Sequence, residues 1–210
     1  MKIDNNKKIL FYKILLVLLL ILAIIIVILI ARKHSERKIF EKKNKEIVQE
    51  FKNAIEENNF IEKDNLDNTL KEEKIIEFEG HKVIGIIKIP KINLEYPIVD
   101  ETTQATMKAT ISRYWGKEIN SFGNVSLAGH NNYDGTMFGK NKKLKIGDII
   151  ELTDLLNNTI QYEIYDIFST HPDDVSILKT TNNEIREVTL ITCTNGRKER
   201  LIIKAHEKIN

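Results

Sequence analysis

Residues 188–195 read VTLITCTN and residues 200–206 read RLIIKAH. The first run is apolar and β-branched, with Cys193 near its end. Asn195-Gly196 follows, a strong hairpin signal. The two runs predict a β-hairpin that presents Cys193 at the end of a rigid strand. If residues 194–199 form the turn and its flanks, Arg200 lies across the hairpin from Cys193. Further strands are read upstream. Residues 83–89 (VIGIIKI) form one that Pro90 ends, and residues 92–99 follow. Residues 124–130 (NVSLAGH), 147–153 and 159–168 are the others. In the last, Ile160, Tyr162 and Ile164 alternate with polar neighbours. Residues 102–114 read as a short helix. About seven strands and few helices predict an all-β domain with short helices, a barrel or a sandwich.

The chain has 210 residues, enough for one membrane segment and one catalytic domain. Residues 14–31 read ILLVLLLILAIIIVILIA, without a charge or a proline. As a helix they span roughly 27 Å, close to the hydrocarbon core of a bilayer. The run ends in Ala31-Arg32-Lys33 with no small-residue cleavage pattern, which predicts an uncleaved anchor. Basic residues flank it on both sides, so charge alone leaves orientation open. The short tail 1–13 and the chemistry below favour tail inside and domain outside. Residues 32–80 are charged and partly helical. Phe40, Ile47, Val48, Phe51 and Ile55 fall at helical spacing, with interruptions expected at Asn58-Asn59 and at residues 64–68. This stretch is read as a spacer leading to a domain at 81–210.

The net charge of +2, from 32 basic and 30 acidic residues, gives no large basic field, so no nucleic-acid partner is expected. The 42 % hydrophobic content suffices for a core. A single cysteine excludes an internal disulfide. A lone cysteine is usually a small core residue. Its place at a strand end, beside a turn, points instead to a nucleophile that needs a base or a cationic neighbour. Arg200 offers a permanently charged fork of donors that could hold a developing oxyanion; taken alone it reads equally as a surface strand residue. His130 ends the strand NVSLAG and lies in a loop above the sheet; one histidine by itself is more often structural, and its weight comes from its combination with Cys193 and Arg200. No two histidines stand at metal-ligand spacing and H-E-x-x-H is absent, so neither metal nor other cofactor is expected.

Taken together, residues 190–193 (LITC) with Arg200 downstream and residues 127–131 (LAGHN) upstream resemble the sortase family. Residues 84–94 (IGIIKIPKINL) resemble the opening strands of its barrel. Residues 135–138 (GTMF), Gly147-Asp148 and residues 172–178 (PDDVSIL) also fit. The resemblance covers roughly residues 82–210. It implies a closed eight-stranded β-barrel with a peptide groove. Cys193 would be the nucleophile, His130 the acid/base, and Arg200 the group that orients substrate and stabilises the tetrahedral intermediate. The cysteine would attack a threonyl carbonyl in an L-P-x-T-G-like sorting signal, and an amine would resolve the thioacyl-enzyme. Ala128, Val175, Ile177, Leu178 and Thr192 are the expected substrate-binding residues. Alternatively, the apolar residues of the 169–186 loop tuck into the core.

The implied partners are secreted proteins bearing a C-terminal sorting signal, a peptidoglycan precursor amine, and the lipid bilayer around residues 14–31. The implied location is the cell membrane, single-pass, with the catalytic domain extracellular. With no apolar tail after residue 206, no aromatic-proline lid and a short segment between His130 and Cys193, a class A- or class D-like member is expected. The alternative is a surface cysteine protease that hydrolyses the same kind of peptide.

Overall fold

The computed structural model describes residues 5–64, 75–180, 182 and 184–209. The chain divides into two compact units, residues 1–41 and 42–210. The described residues of the first unit all lie in helix α1 (Asn5–Asp64). Its apolar run is long enough to cross a membrane, and none of that window is buried within the protein. The expected break at Asn58-Asn59 does not occur, because α1 continues to Asp64. Asparagine in a helix interior costs only a few tenths of a kcal/mol, too little to stop an established helix. The second expected break, at residues 64–68, lies almost wholly outside the described residues.

The second unit is a barrel. Its strands are β1 (Glu77–Phe78), β2 (His81–Ile89), β3 (Leu94–Val99), β4 (Ile111–Trp115), β5 (Gly123–Ala128), β6 (Ile149–Thr153), β7 (Thr159–Thr170), β8 (Arg186–Thr194) and β9 (Glu199–Glu207). The order is β1-β2-β3-β4-β5-β8-β9-β7-β6, and β6 pairs back onto β2. Eight strands, β2 to β9, therefore close the barrel, and β1 extends β2 as a short hairpin. Pairs β3–β4 and β5–β8 are parallel, and the other pairs are antiparallel.

Alternation assigns the inner face. Ile87, Ile98, Ile111, Leu127, Leu190 and Ile203 all have essentially no exposed surface and fill the barrel. Each buried side chain of this size contributes roughly 1.5–3 kcal/mol. A second apolar cluster lies outside the barrel wall. There Val48, Phe51, Ala54 and Ile55 of α1 pack on Ile76, Phe78, Val83, Val99 and Ala109. Lys52 pairs with Glu95 at 2.6 Å beside it, and Asn44 Nδ2 donates to the Ala109 carbonyl. The stretch read as a spacer thus contributes a packed helix face as well.

Residues 102–114, expected as one short helix, hold two elements. The helix there, α2 (Gln104–Ala109), is only six residues long, and β4 follows it. A capping box opens the helix: the Thr106 amide donates to Thr103 Oγ1 at 3.1 Å, and the Thr103 amide to Thr106 Oγ1 at 2.7 Å. Thr110 is extended and its hydroxyl donates to the Pro97 carbonyl at 2.8 Å, which ends the helix. The β-branched and aromatic run ISRYW then continues as a strand.

Candidate active site

Residues paired across adjacent strands point to the same face of a sheet. In the β8–β9 hairpin Cys193 pairs with Arg200. The turn between them is Asn195–Arg197, in which Asn195, Gly196 and Arg197 all have positive φ. In the parallel pair β5–β8, Ala128 stands opposite Ile191. The pairing runs on past the end of β5, because the Gly129 amide donates to the Ile191 carbonyl at 3.2 Å. Asn131 Nδ2 then donates to the Cys193 carbonyl at 2.8 Å. His130 therefore falls in register beside Cys193. One row across the outer face of three strand ends reads His130, Cys193, Arg200.

The His130 side is held by side chains and packing. Thr192 faces the barrel interior, and its hydroxyl donates to the Gly129 carbonyl at 2.7 Å. Its contribution is thus to fix the backbone that leads to His130, on the face opposite Cys193. Gly129 is pressed against Phe138: a Cβ there would meet the ring at 2.8 Å. The Phe138 amide donates to the His130 carbonyl at 3.0 Å. Burial lowers the His130 pKa below its ordinary value of 6.5, and the positive charge of Arg197 lowers it further. The imidazole is therefore neutral near neutral pH and able to accept a proton. Cys193 is half-buried and free. Arg200 Nη1 donates to the carbonyls of Glu199 and Arg197, at 3.3 and 3.4 Å, which ties the guanidinium to the turn.

Below this row the same face carries Ala128, Ile191 and Ile202. Ile177 of the β7–β8 loop packs on Ile191 and Ile202, with Phe168 and Leu178 at the margin. Ile177 is buried and Val175 exposed, so of the loop residues expected to touch substrate, Ile177 packs into this cluster and Val175 stands free. The sheet grips the loop's backbone. Asn124 Nδ2 donates to the carbonyls of Ile177 and Leu178 at 3.4 and 3.2 Å. Lys204 Nζ donates to the Lys179 carbonyl at 3.4 Å and pairs with fully buried Glu187 at 3.0 Å. Glu187 also accepts from the Tyr165 hydroxyl at 2.7 Å. Burial, aided by that hydrogen bond, pushes the Tyr165 phenol well up, so it remains a donor. At the loop's start Asp174 accepts from Ser176 and Thr170, and these bonds hold its carboxyl below the usual range.

The fold brings His130, Cys193 and Arg200, all expected from sequence, into one row. Asn131's bond to Cys193 and Arg197's charge on His130 are visible only in the fold. The signal for Asn131 was its place directly after the histidine, where a short amide can reach the neighbouring strand end. Among the described residues, no three His, Cys, Asp or Glu side chains cluster as a metal site would need.

The sortase domain model matches residues 87–208, more than half of the chain. Sortase A of Bacillus anthracis is 29 % identical over 154 residues, covering 72 % of each chain. Sortase D of Bacillus subtilis is 33 % identical over 116 residues, 55 % of this chain and 56 % of that one. Among solved structures, a sortase D5 transpeptidase of Clostridium perfringens aligns with a TM-score of 0.62 at 30 % identity, over 80 % of this chain and 99 % of that one. Sortase A of Corynebacterium diphtheriae aligns at 0.57 and 27 % identity, over 62 % of each chain. Class A and class D relatives are thus both represented. With a closed barrel of the same kind and its single cysteine at a strand end between a histidine and an arginine, this chain belongs to the sortase family and is a transpeptidase of the cysteine type.

Proposed function

We propose that the enzyme cleaves LPxTG-like sorting signals at the C-terminus of secreted proteins and joins the new acyl end to an amine of the cell wall. In this reading residues 14–31 anchor it in the cell membrane, with tail 1–13 inside. Residues 32–80 lead to a catalytic domain, 81–210, on the outer side. The observation that supports the chemistry is the row His130, Cys193, Arg200.

The Cys193 thiol passes its proton to His130 as Sγ attacks the threonyl carbonyl carbon, and the C=O pair moves onto oxygen. The Arg200 guanidinium donates to that oxyanion and lowers the barrier. The intermediate collapses, the C–N bond breaks, and the leaving amine takes its proton from His130. A thioester to Cys193 remains. The incoming amine attacks the thioester, His130 accepts its proton, and the thiolate is released. Ala128, Ile177 and Leu178 border the path on which a Leu-Pro segment would lie against apolar surface.

The test is a peptide-library cleavage assay on the full chain in detergent, with and without added amines. Cleavage at a Thr-Gly bond with amine-dependent transfer is the expected result. Cys193→Ala should abolish both reactions while the circular dichroism spectrum is unchanged. Hydrolysis that no amine diverts would select the protease alternative, and cleavage by the folded Cys193→Ala variant would overturn the mechanism.

A further inference from the structure

We infer that Arg197 sets the choice of acceptor by receiving a carboxylate carried next to the incoming amine. The inference rests on the function proposed above and deepens its second half, the transfer to an amine.

β5 and β8 are parallel neighbours, so the segments that follow them leave the barrel at the same end. After β5 come His130 and a hairpin closed by the Asn131–Met137 pair. After β8 comes the Asn195–Arg197 turn. The bond from Asn131 Nδ2 to the Cys193 carbonyl, at 2.8 Å, joins the two segments at their bases. In the proposed reaction the incoming amine gives its proton to His130. Its nitrogen must then lie within hydrogen-bond reach of the imidazole, next to the thioester on Cys193. The groups attached to that nitrogen meet the hairpin on one side and the turn on the other.

Most exposed charges on a turn are simply solvated. Arg197 is exposed, but three observations set it apart. Its backbone has φ 73°. Asparagine and glycine, which precede it, tolerate positive φ, whereas arginine has no such tolerance. Strained backbone of this kind persists where the surrounding structure holds it, commonly beside reacting groups. Here the Arg197 carbonyl accepts from Arg200 Nη1 at 3.4 Å, which ties the residue to the catalytic row. Second, its positive charge acts on the His130 ring, the group that takes the amine's proton. Third, among the described residues no ion pair engages its guanidinium. Glu199, the one carboxylate in residues 194–200, accepts from Asn195 Nδ2 at 3.1 Å. The two arginines thus divide the work. Arg200 faces the developing oxyanion, and Arg197 is left for an anion that arrives with the amine. A guanidinium's planar fork matches a carboxylate.

The test gives the full chain, in detergent, one sorting-signal peptide at fixed concentration and either glycine or glycinamide as acceptor. The two acceptors present a carboxylate or a neutral amide on the carbon that bears the amine. Their amines differ in basicity, so the quantity read is the ratio of kcat/KM for glycine to that for glycinamide, compared between the unaltered chain and each variant. Amine basicity, and the influence of Arg197 on His130, act alike on both sides of that comparison and cancel. Arg197→Ala should lower the ratio about three- to tenfold, carried by the KM of the acceptor, the size expected of one exposed charge contact. Arg197→Glu should lower it further, because a second carboxylate repels the first. A ratio that Arg197→Ala leaves unchanged, or that Arg197→Glu lowers no further, overturns the acceptor contact and leaves the proposed function standing. If the unaltered chain cleaves no signal, or cleaves it and transfers to neither amine, the proposed function fails and the acceptor contact falls with it.

Discussion

Cys193 has two flanks, and they are built differently. On one side Arg200 is fixed by the ladder of the β8–β9 hairpin, with pairs running from Glu187–His206 up to Thr194–Glu199. Its backbone cannot shift without breaking many hydrogen bonds at once. On the other side His130 lies beyond the last residue of β5. Its place depends on single contacts: Asn131 to the Cys193 carbonyl, Thr192 to the Gly129 carbonyl, and Phe138 against Gly129. A group that stabilises a transient charge must be preorganised, which suits the ladder. A group that moves protons between thiol, leaving amine and incoming amine can sit on a loop held at a few points.

The largest expected effect tests the rigid flank. Arg200→Ala should lower kcat by about 10²–10³, as for loss of one preorganised oxyanion donor. Arg200→Lys should restore little, because an ammonium cannot copy the planar fork. A full rescue by lysine would mean that charge alone matters and that the rigidity of this flank is incidental.

The two flanks also differed in how far they could be read from sequence. The hairpin was legible because β-branched residues, Asn195-Gly196 and a count from Cys193 to Arg200 fix a register, and that register is the one found. The His130 flank was legible as a place but not as a mechanism. A side-chain bond from Asn131 to a carbonyl 62 residues away has no periodicity to betray it. β4 was missed for a related reason. No glycine or proline separates it from α2, so Thr110 alone marks the boundary, through a bond to Pro97 that only the fold supplies. Helical spacing in residues 47–55 was visible, but its partner, the outer wall around Phe78 and Val99, was not.

The next effects probe the held flank. Asn131→Ala removes the strap to Cys193 and should lower kcat about tenfold, the size of one net hydrogen bond to a working backbone. KM should change little. Thr192→Val keeps the shape but leaves the buried Gly129 carbonyl without its donor. It should cost about 1–3 kcal/mol in denaturant unfolding, with a smaller loss of kcat. If Asn131→Ala were as damaging as Arg200→Ala, the contrast between the flanks would collapse.

The smallest effect concerns the charge that links them. Arg197 sits at the tip of the turn with positive φ, and its guanidinium adds to the burial that lowers the His130 pKa. It is exposed, so Arg197→Ala should reduce kcat by less than about tenfold. The pH behaviour is more telling. Because the native pKa of His130 lies below its unfolded value, the unfolded chain binds more protons between the two. Stability from this group is therefore fully present above about pH 6.5 and is lost as pH falls toward the native pKa. Removing Arg197 takes away a like charge and raises the native pKa. The acid-side loss of stability should shrink, and the acid limb of kcat/KM should move up in pH. Imidazole proton shifts followed by NMR check this directly, in the Cys193→Ala background where no thiol is coupled to the ring. The His130 midpoint should lie below 6.5 with Arg197 present and rise toward it in Arg197→Ala. A midpoint that does not move would assign the lowering to burial alone and leave the turn without electrostatic influence on the histidine. A downward move would require a different charge to face the ring.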